Sequence, residues 1–205
     1  MGVIYMKILN FGSLNIDYVY SVDHFVQKGE TISSSQMNIF SGGKGLNQST
    51  ALGCAGAQVF HAGRIGKGGE FLVEQLKEAG VNTDLVVLDS QCSTGHAIIQ
   101  NDAEGDNCIL LYGGANQRIT KEQIDATLDQ FDAGDYLVLQ NETSNLPYLM
   151  EKAAEKQMKI VLNPSPMDEK IKALPLDKVT LFFVNEIEAA QILGEKELES
   201  TEKAV

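Results

Sequence analysis

Apolar runs and amphipathic stretches alternate in the second half of the chain. The segments are 120–131 (helix), 136–140 (strand), 144–156 (helix), 159–162 (strand), 180–184 (strand) and 186–193 (helix). Strands that alternate with helices imply right-handed crossovers and a parallel sheet with helices on both faces. The pattern therefore predicts a doubly wound α/β domain, with Thr120 as the N-cap of its first helix here and Gln123 at the capping-box position.

The first half begins in the same way. Residues 7–12 predict a buried strand, and 45–56, 58–65 and 70–79 predict a helix, a strand and a second helix that ends at Gly80. These elements fit the same α/β layer.

Other strands in the first half do not alternate with helices. Residues 18–22 are β-branched and aromatic, and 31–40 alternate between polar and apolar residues, as in a half-exposed antiparallel sheet. We therefore predict a small β-sheet, with strands at about 17–40 and 85–112, inserted into a single domain of residues 1–205.

Charge narrows the choice of partners. The formal net charge is −12 at pH 7, and so acidic a surface repels nucleic acid and anionic membranes. Three cysteines without a Cys-x-x-Cys spacing indicate reduced thiols, and three scattered histidines form no metal-ligand pattern. We expect a cytoplasmic protein that binds a small molecule and neither nucleic acid nor a membrane.

Asn15 and Asp17 follow the first predicted strand. Ligands of parallel sheets bind outside the carboxyl ends of the strands, and residues two apart in an extended segment point to the same side. An amide and a carboxylate presented together suit vicinal hydroxyls, since hydrogen bonds to a charged group are worth roughly 1.5–3 kcal/mol each. A simple strand-end turn explains the pair equally well.

A glycine loop (residues 41–48, SGGKGLNQ) leads into the next predicted helix. Glycines let a ligand approach the backbone, and a helix N-terminus offers oriented N–H donors. The order is not that of a P-loop, because Gly45 follows Lys44. A dinucleotide fingerprint is also missing, since Gly12 leads into a strand. We expect the glycine loop to bind a ligand that neither motif describes, with a structural turn as the alternative.

Asn185 and Glu188 lie at the start of the last predicted helix, directly after a strand. At spacing i, i+3 they share one helix face, where an amide and a carboxylate could order metal-bound water or phosphate oxygens. The same pair is also typical of helix capping, with Asn185 as the N-cap and Glu188 at N3.

Taken in order, these segments resemble the PfkB-type carbohydrate kinases, and among them the ribokinases, from about Lys7 to Gly194. The most specific part is 42–48, continuing through the glycines up to Gly66, which looks like the N-terminal motif of that family. Supporting segments are 12–17, 93–95, 114–116, 140–142, 163–166 and 185–188.

The resemblance implies a fold and a set of ligands. The fold is a ribokinase-like doubly wound, mostly parallel sheet with helices on both faces, plus a small β-sheet lid that forms a homodimer with the lid of a second subunit. Asn185 would face the ATP phosphates, and Glu188 would help to organise Mg²⁺ through water. A monovalent cation, K⁺, is expected for the complete family enzyme. The residues implied to bind the sugar are Asn15, Asp17, Gly43, Lys44, Asn47 and Glu142.

The implied reaction transfers the γ-phosphoryl group of Mg·ATP to the 5-hydroxyl of D-ribose. The second motif of the family, Asp-Thr-x-Gly-Ala-Gly-Asp, is absent from this chain, and it would supply the catalytic base. We therefore expect the base beyond Val205 and expect the 205-residue chain alone to be inactive.

Three alternatives stay open. The first is another PfkB-type sugar or nucleoside kinase, such as a fructokinase, an adenosine kinase or a ketodeoxygluconate kinase. The second is a non-catalytic sugar-binding or regulatory module. The third is a Rossmann oxidoreductase, which the missing dinucleotide fingerprint disfavours.

Overall fold

A computed structural model of the chain describes residues 6–195. The strands are β1 (Ile8–Phe11), β2 (Asn15–Ser21), β3 (Gln36–Gly42), β4 (Val59–Lys67), β5 (Asn82–Ser93), β6 (Gly95–Asn101), β7 (Asn107–Tyr112), β8 (Tyr136–Gln140), β9 (Lys159–Asn163) and β10 (Val179–Phe182). The helices are α1 (Lys44–Cys54), α2 (Glu70–Glu78), α3 (Lys121–Leu128), α4 (Leu146–Glu155) and α5 (Glu186–Leu193).

A six-stranded parallel sheet forms the centre of the molecule, in the order β10-β9-β8-β1-β4-β5. Alternate side chains of its strands enter two separate cores. Leu9 and Phe11 of β1 lie in the core that includes α3 and α4, whereas Val59 and Ile65 of β4 lie in the core that includes α1 and α2. Helices on both faces confirm the predicted doubly wound sheet.

The small sheet has four strands in the order β3-β2-β6-β7. Strand β2 is antiparallel to β3 but parallel to β6, so the sheet is mixed. Residues 31–35, expected in a strand, precede the start of β3. The small sheet is therefore confirmed, with a different start for one of its strands.

One part of the predicted small sheet belongs elsewhere. Residues 85–88 lie in β5, which pairs with β4 in the central sheet. The reason is packing on both faces, because Leu85 contacts one core and Val86 the other. A strand covered on both sides is typical of a central parallel sheet and not of a half-exposed flap.

The start of α3 confirms half of the predicted capping box. Thr120 accepts a hydrogen bond from the backbone N–H of Gln123, 3.2 Å away. The Gln123 side chain does not return to the N-cap. Instead it donates to the carbonyl of Gly63 on β4, and its oxygen accepts from Arg64, so tertiary contacts replace the reciprocal cap. Within residues 6–195, none of the helices has both the length and the apolar character needed to cross a bilayer.

Helix α1 begins in direct backbone contact with the end of β1. A Cβ atom on Gly45 would lie 2.6 Å from the Cα of Gly12, closer than real Cβ contacts occur. The N–H of Leu46 donates to the carbonyl of Ser13 at 2.9 Å. Only glycine at both contact positions permits this approach, which places the glycine loop at the carboxyl edge of the sheet.

We predict that Gly45→Ala lowers the free energy of unfolding by about 1–3 kcal/mol, because the new methyl group overlaps the backbone at the end of β1. Helix propensity alone predicts the opposite sign, since alanine is favoured over glycine by about 1 kcal/mol within a helix. Urea denaturation measures the change. The control is Ala51→Gly at an exposed position of α1, which should cost about 1 kcal/mol by propensity alone. An unchanged or higher stability of Gly45→Ala would contradict the contact.

Candidate functional site

The residues with candidate chemistry lie along the carboxyl edge of the central sheet. Asn15 begins β2 just after β1 ends, the glycine loop includes the first turn of α1, and Glu142 follows β8. Asn185 follows β10, two strands from β8, which corresponds to roughly 10 Å at the usual strand spacing. The topology therefore places the two predicted groups of site residues side by side.

Glu142 holds the N-terminus of α1. Its Oε2 atom accepts hydrogen bonds from the hydroxyl of Ser13 and from the backbone N–H of Lys44, the latter at 2.9 Å. The ammonium group of Lys44 lies 3.9 Å from Oε1. A carboxylate at a helix N-terminus is stabilised by the aligned N–H groups and the helix dipole.

The remaining N–H groups of this first turn are also bonded within the protein. Gly45 donates to the Ser13 hydroxyl at 3.1 Å, Leu46 to the Ser13 carbonyl, and Asn47 to the carbonyl of Gly43. The N–H groups of residues 44–47 are therefore all bonded within the protein, and the Glu142 carboxylate occupies the place where a phosphate group would approach this turn. The glycine loop is thus not an anion-binding helix terminus.

Asp17 lies against the glycine loop. A Cβ atom on Gly42 would collide with the Asp17 carboxylate, so this glycine makes room for the acid. Burial, followed by the charge of Glu142, raises the pKa of Asp17 above its ordinary value of 3.8. Two carboxylates within electrostatic reach form a group of acceptors suited to several hydroxyl donors.

Asn15 is held by Asn116, which is buried in the short 3₁₀ turn at 114–118. The side-chain N–H₂ group of Asn116 donates to Asn15 Oδ1 at 2.8 Å, and its oxygen accepts from the backbone N–H of Leu14 at 3.1 Å. Because its oxygen is engaged, the amide of Asn15 presents its N–H₂ group to a ligand. The contacts of residues 6–195 include no protein acceptor for that group.

Lys44 and Gly43 lie at the junction of these groups, and Asn47 follows on the first turn of α1, where its N–H donates to the carbonyl of Gly43. Gly43 has a φ of 95°, a backbone conformation that favours glycine. Asn47 is exposed on the first turn of α1, and its side chain makes no hydrogen bond to the other candidate residues within the described part of the chain. Asn15, Asp17, Gly43, Lys44 and Glu142 thus come together around the start of α1.

Asn185 and Glu188 form a complete capping box at the start of α5. Asn185 Oδ1 accepts from the N–H of Glu188 at 2.8 Å, and Glu188 Oε2 accepts from the N–H of Asn185 at 3.1 Å. Glu188 Oε1 accepts from the hydroxyl of Ser165, and the carbonyl of Ser165 accepts from the N–H of Asn141, beside Glu142. The capping interpretation is confirmed, and a backbone link joins this end of the edge to the acids near α1.

The Glu188 carboxylate can still take part in an indirect metal contact. Each of its oxygens has a second lone pair that can accept from metal-bound water. Among residues 6–195, no three acidic, histidine or cysteine side chains converge as a direct metal site. The Glu188 carboxylate therefore fits contact with a metal ion through water, and not a site in which protein side chains alone surround the ion.

Sequence reasoning missed Ser13 and Asn116 as site residues. Both lie within segments that carry the family resemblance, at 12–17 and 114–116, but their partners are about a hundred or more residues away. Only the pairing of distant elements brings these side chains to the site.

Comparison with known proteins agrees with this geometry. The family model described as pfkB family carbohydrate kinase matches residues 6–205. A ribokinase of Staphylococcus aureus (strain COL) is 34% identical over 199 residues, which cover 93% of this chain and 64% of that protein. A ribokinase of Bacillus subtilis (strain 168) is 32% identical, over 90% of this chain and 64% of that protein. The chain thus spans less than two thirds of the length of these curated relatives.

A solved structure leads to the same result. The ribokinase from Cryptococcus neoformans var. grubii serotype A, in complex with ADP, is similar with a TM-score of 0.78 and 36% identity, over 98% of this chain and 65% of that one. The fold, the residues at its carboxyl edge and the family match together show that the chain belongs to the pfkB family of carbohydrate kinases.

Proposed function

We propose that this chain binds the sugar in a ribokinase, the enzyme that transfers the γ-phosphoryl group of Mg·ATP to the 5-hydroxyl of D-ribose. The observation that carries the proposal is the pair of acids, Asp17 and Glu142, beside a first turn of α1 whose N–H groups at 44–47 are bonded within the protein. Acceptors in this arrangement suit a neutral polyol.

Each side chain has a separate task in this proposal. The Asp17 carboxylate accepts from adjacent hydroxyls, and the free N–H₂ group of Asn15 donates to one of them. Lys44 and Gly43 border the same space through the glycine loop, and Asn47 approaches the sugar from the exposed side of α1. Hydrogen bonds to hydroxyls orient a sugar strongly, because removing one partner leaves the other unpaired.

ATP would lie at the other end of the edge, beside β9 and β10. Asn185 faces its phosphates in this proposal, and Glu188 contacts Mg²⁺ through water. The ADP in the Cryptococcus ribokinase supports the choice of nucleotide. When bound, Mg·ATP supplies the transferred phosphoryl group and offsets its charge. The base belongs to the second motif of the family, so we expect transfer to require that motif, and expect K⁺ to act only in a chain that contains it.

The small sheet would act as the lid and as the dimer interface. Strand register places Phe40, Ala97 and Leu111 in one row with Asp17, on the same face of the sheet. Phe40 and Leu111 are 54% and 46% exposed, which is high for large apolar side chains. Apolar side chains that rim a polar site are suited to a second copy of the lid. The free state of Cys54, Cys92 and Cys108 supports a cytoplasmic setting.

Titration calorimetry with D-ribose, and with D-fructose in parallel, tests the proposed substrate. We expect saturable heat with D-ribose, and a roughly 100-fold or greater loss of affinity in Asp17→Ala, because two hydrogen bonds to a charged acceptor disappear. Asp23→Ala, which changes an exposed acid two residues beyond the end of the same strand, is the control and should bind like the parent chain. Heat with D-fructose alone would reassign the sugar, and heat with neither would refute sugar binding by this chain.

Sugar affinity should also depend on pH. The ionised form of Asp17 accepts the hydroxyls, and its pKa is raised above 3.8 by burial and by Glu142. Affinity is therefore full at neutral pH and falls on acidification, beginning above pH 3.8. Calorimetry over a pH series measures this, with circular dichroism to verify folding at each pH. Asp17→Asn should bind weakly without that dependence, and constant affinity of the parent chain down to pH 3.8 would contradict the assignment.

Dimer formation through the lid can be tested by substituting one residue on each face of the small sheet. Leu111→Glu places a charge on the face that carries Asp17 and should convert the dimer to a monomer in light scattering. Leu110→Glu is the control, because Leu110 is 67% exposed and points to the opposite face. A monomeric parent chain at high concentration, or equal effects of the two variants, would argue against this interface.

A further inference from the structure

A row of polar side chains is buried beneath α1, outside the proposed ligand site. Asn10 of β1, Ser49 of α1 and His61 of β4 are fully buried, and Gln140 of β8 is 1% exposed. Asn10 and His61 are register partners on neighbouring strands, so they face the same side of the sheet. Polar groups at such depth are costly unless they are hydrogen-bonded, and three neighbouring strands contribute to this row.

Asn10 connects the row to the glycine loop. Its side-chain N–H₂ group donates to the carbonyl of Gly45 and to the hydroxyl of Ser49, both at 2.8 Å. The hydroxyl of Ser49 lies 2.7 Å from His61 Nδ1. The carbonyl of Gly45 is therefore held from below by Asn10, while its N–H is held by Ser13 at the ligand side.

The orientation of Asn10 is set from its other end. Gln140 donates to Asn10 Oδ1 at 3.0 Å and to the side-chain oxygen of Gln48 at 2.7 Å. Because Asn10 Oδ1 is the acceptor of that bond, the N–H₂ group of Asn10 must point toward Gly45 and Ser49.

The remaining question is which atom donates and which accepts in the hydrogen bond between Ser49 and His61. Ser49 accepts from Asn10, and its hydroxyl lies at hydrogen-bond distance from His61 Nδ1, where the direction of the bond depends on the tautomer of the ring. The carbonyl of Gly12 lies near His61 Nε2, although their contact does not reach hydrogen-bond geometry. An acceptor at that place favours a neutral ring with its proton on Nε2, so that Nδ1 accepts from the Ser49 hydroxyl. Complete burial lowers the pKa of His61 to about 4, in agreement with a neutral ring.

We propose that His61, Ser49 and Asn10 are positioning residues, which hold the glycine loop in the geometry that binds sugar. His61 accepts the proton of Ser49 and so prevents this hydroxyl from turning to the Gly45 carbonyl one helical turn earlier. Asn10 can then anchor that carbonyl. The proposal rests on the proposed function as far as sugar affinity is concerned, whereas the hydrogen-bond direction can be tested without a ligand.

Adjacent hydroxyls on α1 provide a matched comparison. Ser49→Ala removes the central member of the row and should weaken D-ribose binding roughly tenfold, the equivalent of one buried hydrogen bond. Thr50→Val removes a buried hydroxyl that has no hydrogen-bond partner and should change the affinity less than twofold. Equal losses in the two variants, at temperatures where both are folded, would overturn the proposal.

Two replacements of His61 separate positioning from packing. His61→Phe fills the space but offers no acceptor, whereas His61→Asn retains an oxygen near the place of Nδ1 and leaves a cavity. We expect His61→Phe to bind D-ribose roughly tenfold more weakly and His61→Asn to bind within about threefold of the parent chain, although the cavity makes it the less stable of the two. If affinity follows stability instead, His61 acts only by packing.

Nuclear magnetic resonance of the ¹⁵N-labelled chain tests the row without sugar. Nδ1 of His61 should be unprotonated and Nε2 protonated at neutral pH, and the amide of Gly45 should exchange with solvent faster in Ser49→Ala than in Thr50→Val. A proton on Nδ1, or equal exchange in both variants, overturns the positioning role. If these results hold while no sugar binds to the parent chain, the proposed function fails and the positioning of the loop stands.

Discussion

The candidate site depends on the hydrogen bonds that the first turn of α1 makes within the protein. Its N–H groups, which in many α/β proteins bind a phosphate, are here taken by Glu142, Ser13 and Gly43. The backbone contact between Gly12 and Gly45 brings the turn close enough for these bonds. Since the helix terminus is neutralised from within, the space beside it is lined by acceptors and not by an anion hole.

This arrangement separates two kinds of chemistry along one edge of the sheet. Acidic groups lie near β1 and β8, where a neutral hydroxylated ligand is favoured and an anion is repelled. At β10 the start of α5 is capped by Asn185 and Glu188, two strands away. A net charge of −12 is compatible with both ends, because binding there depends on local donors and acceptors and not on the overall field.

Sequence patterns predicted those strands and helices whose ends are determined by residues close by in the chain. Strand β8 and helix α5 have their predicted bounds, and α5 ends at Gly194 in the left-handed conformation that favours glycine. Tertiary contacts decided the rest. The Gln123 side chain donates to the carbonyl of Gly63 and not to the N-cap of its own helix. Residues 85–88 pair with the central sheet, where Leu85 packs against one core and Val86 against the other. No local signal could pair Asn116 with Asn15 across about a hundred residues.

The small sheet and the proposed sugar site share one strand. Asn15 at the start of β2 pairs with Gly42 and Gly95, and Asp17 lies two residue pairs further into the small sheet, on the same face. Glu142, by contrast, follows β8 and is bonded to the first turn of α1 on the central sheet. Any rotation of the small sheet about the start of β2 must therefore change the separation of the two carboxylates. A ligand bound by both acids fixes that separation. Because Asp17 is itself a residue of β2, such a ligand also fixes the orientation of the small sheet.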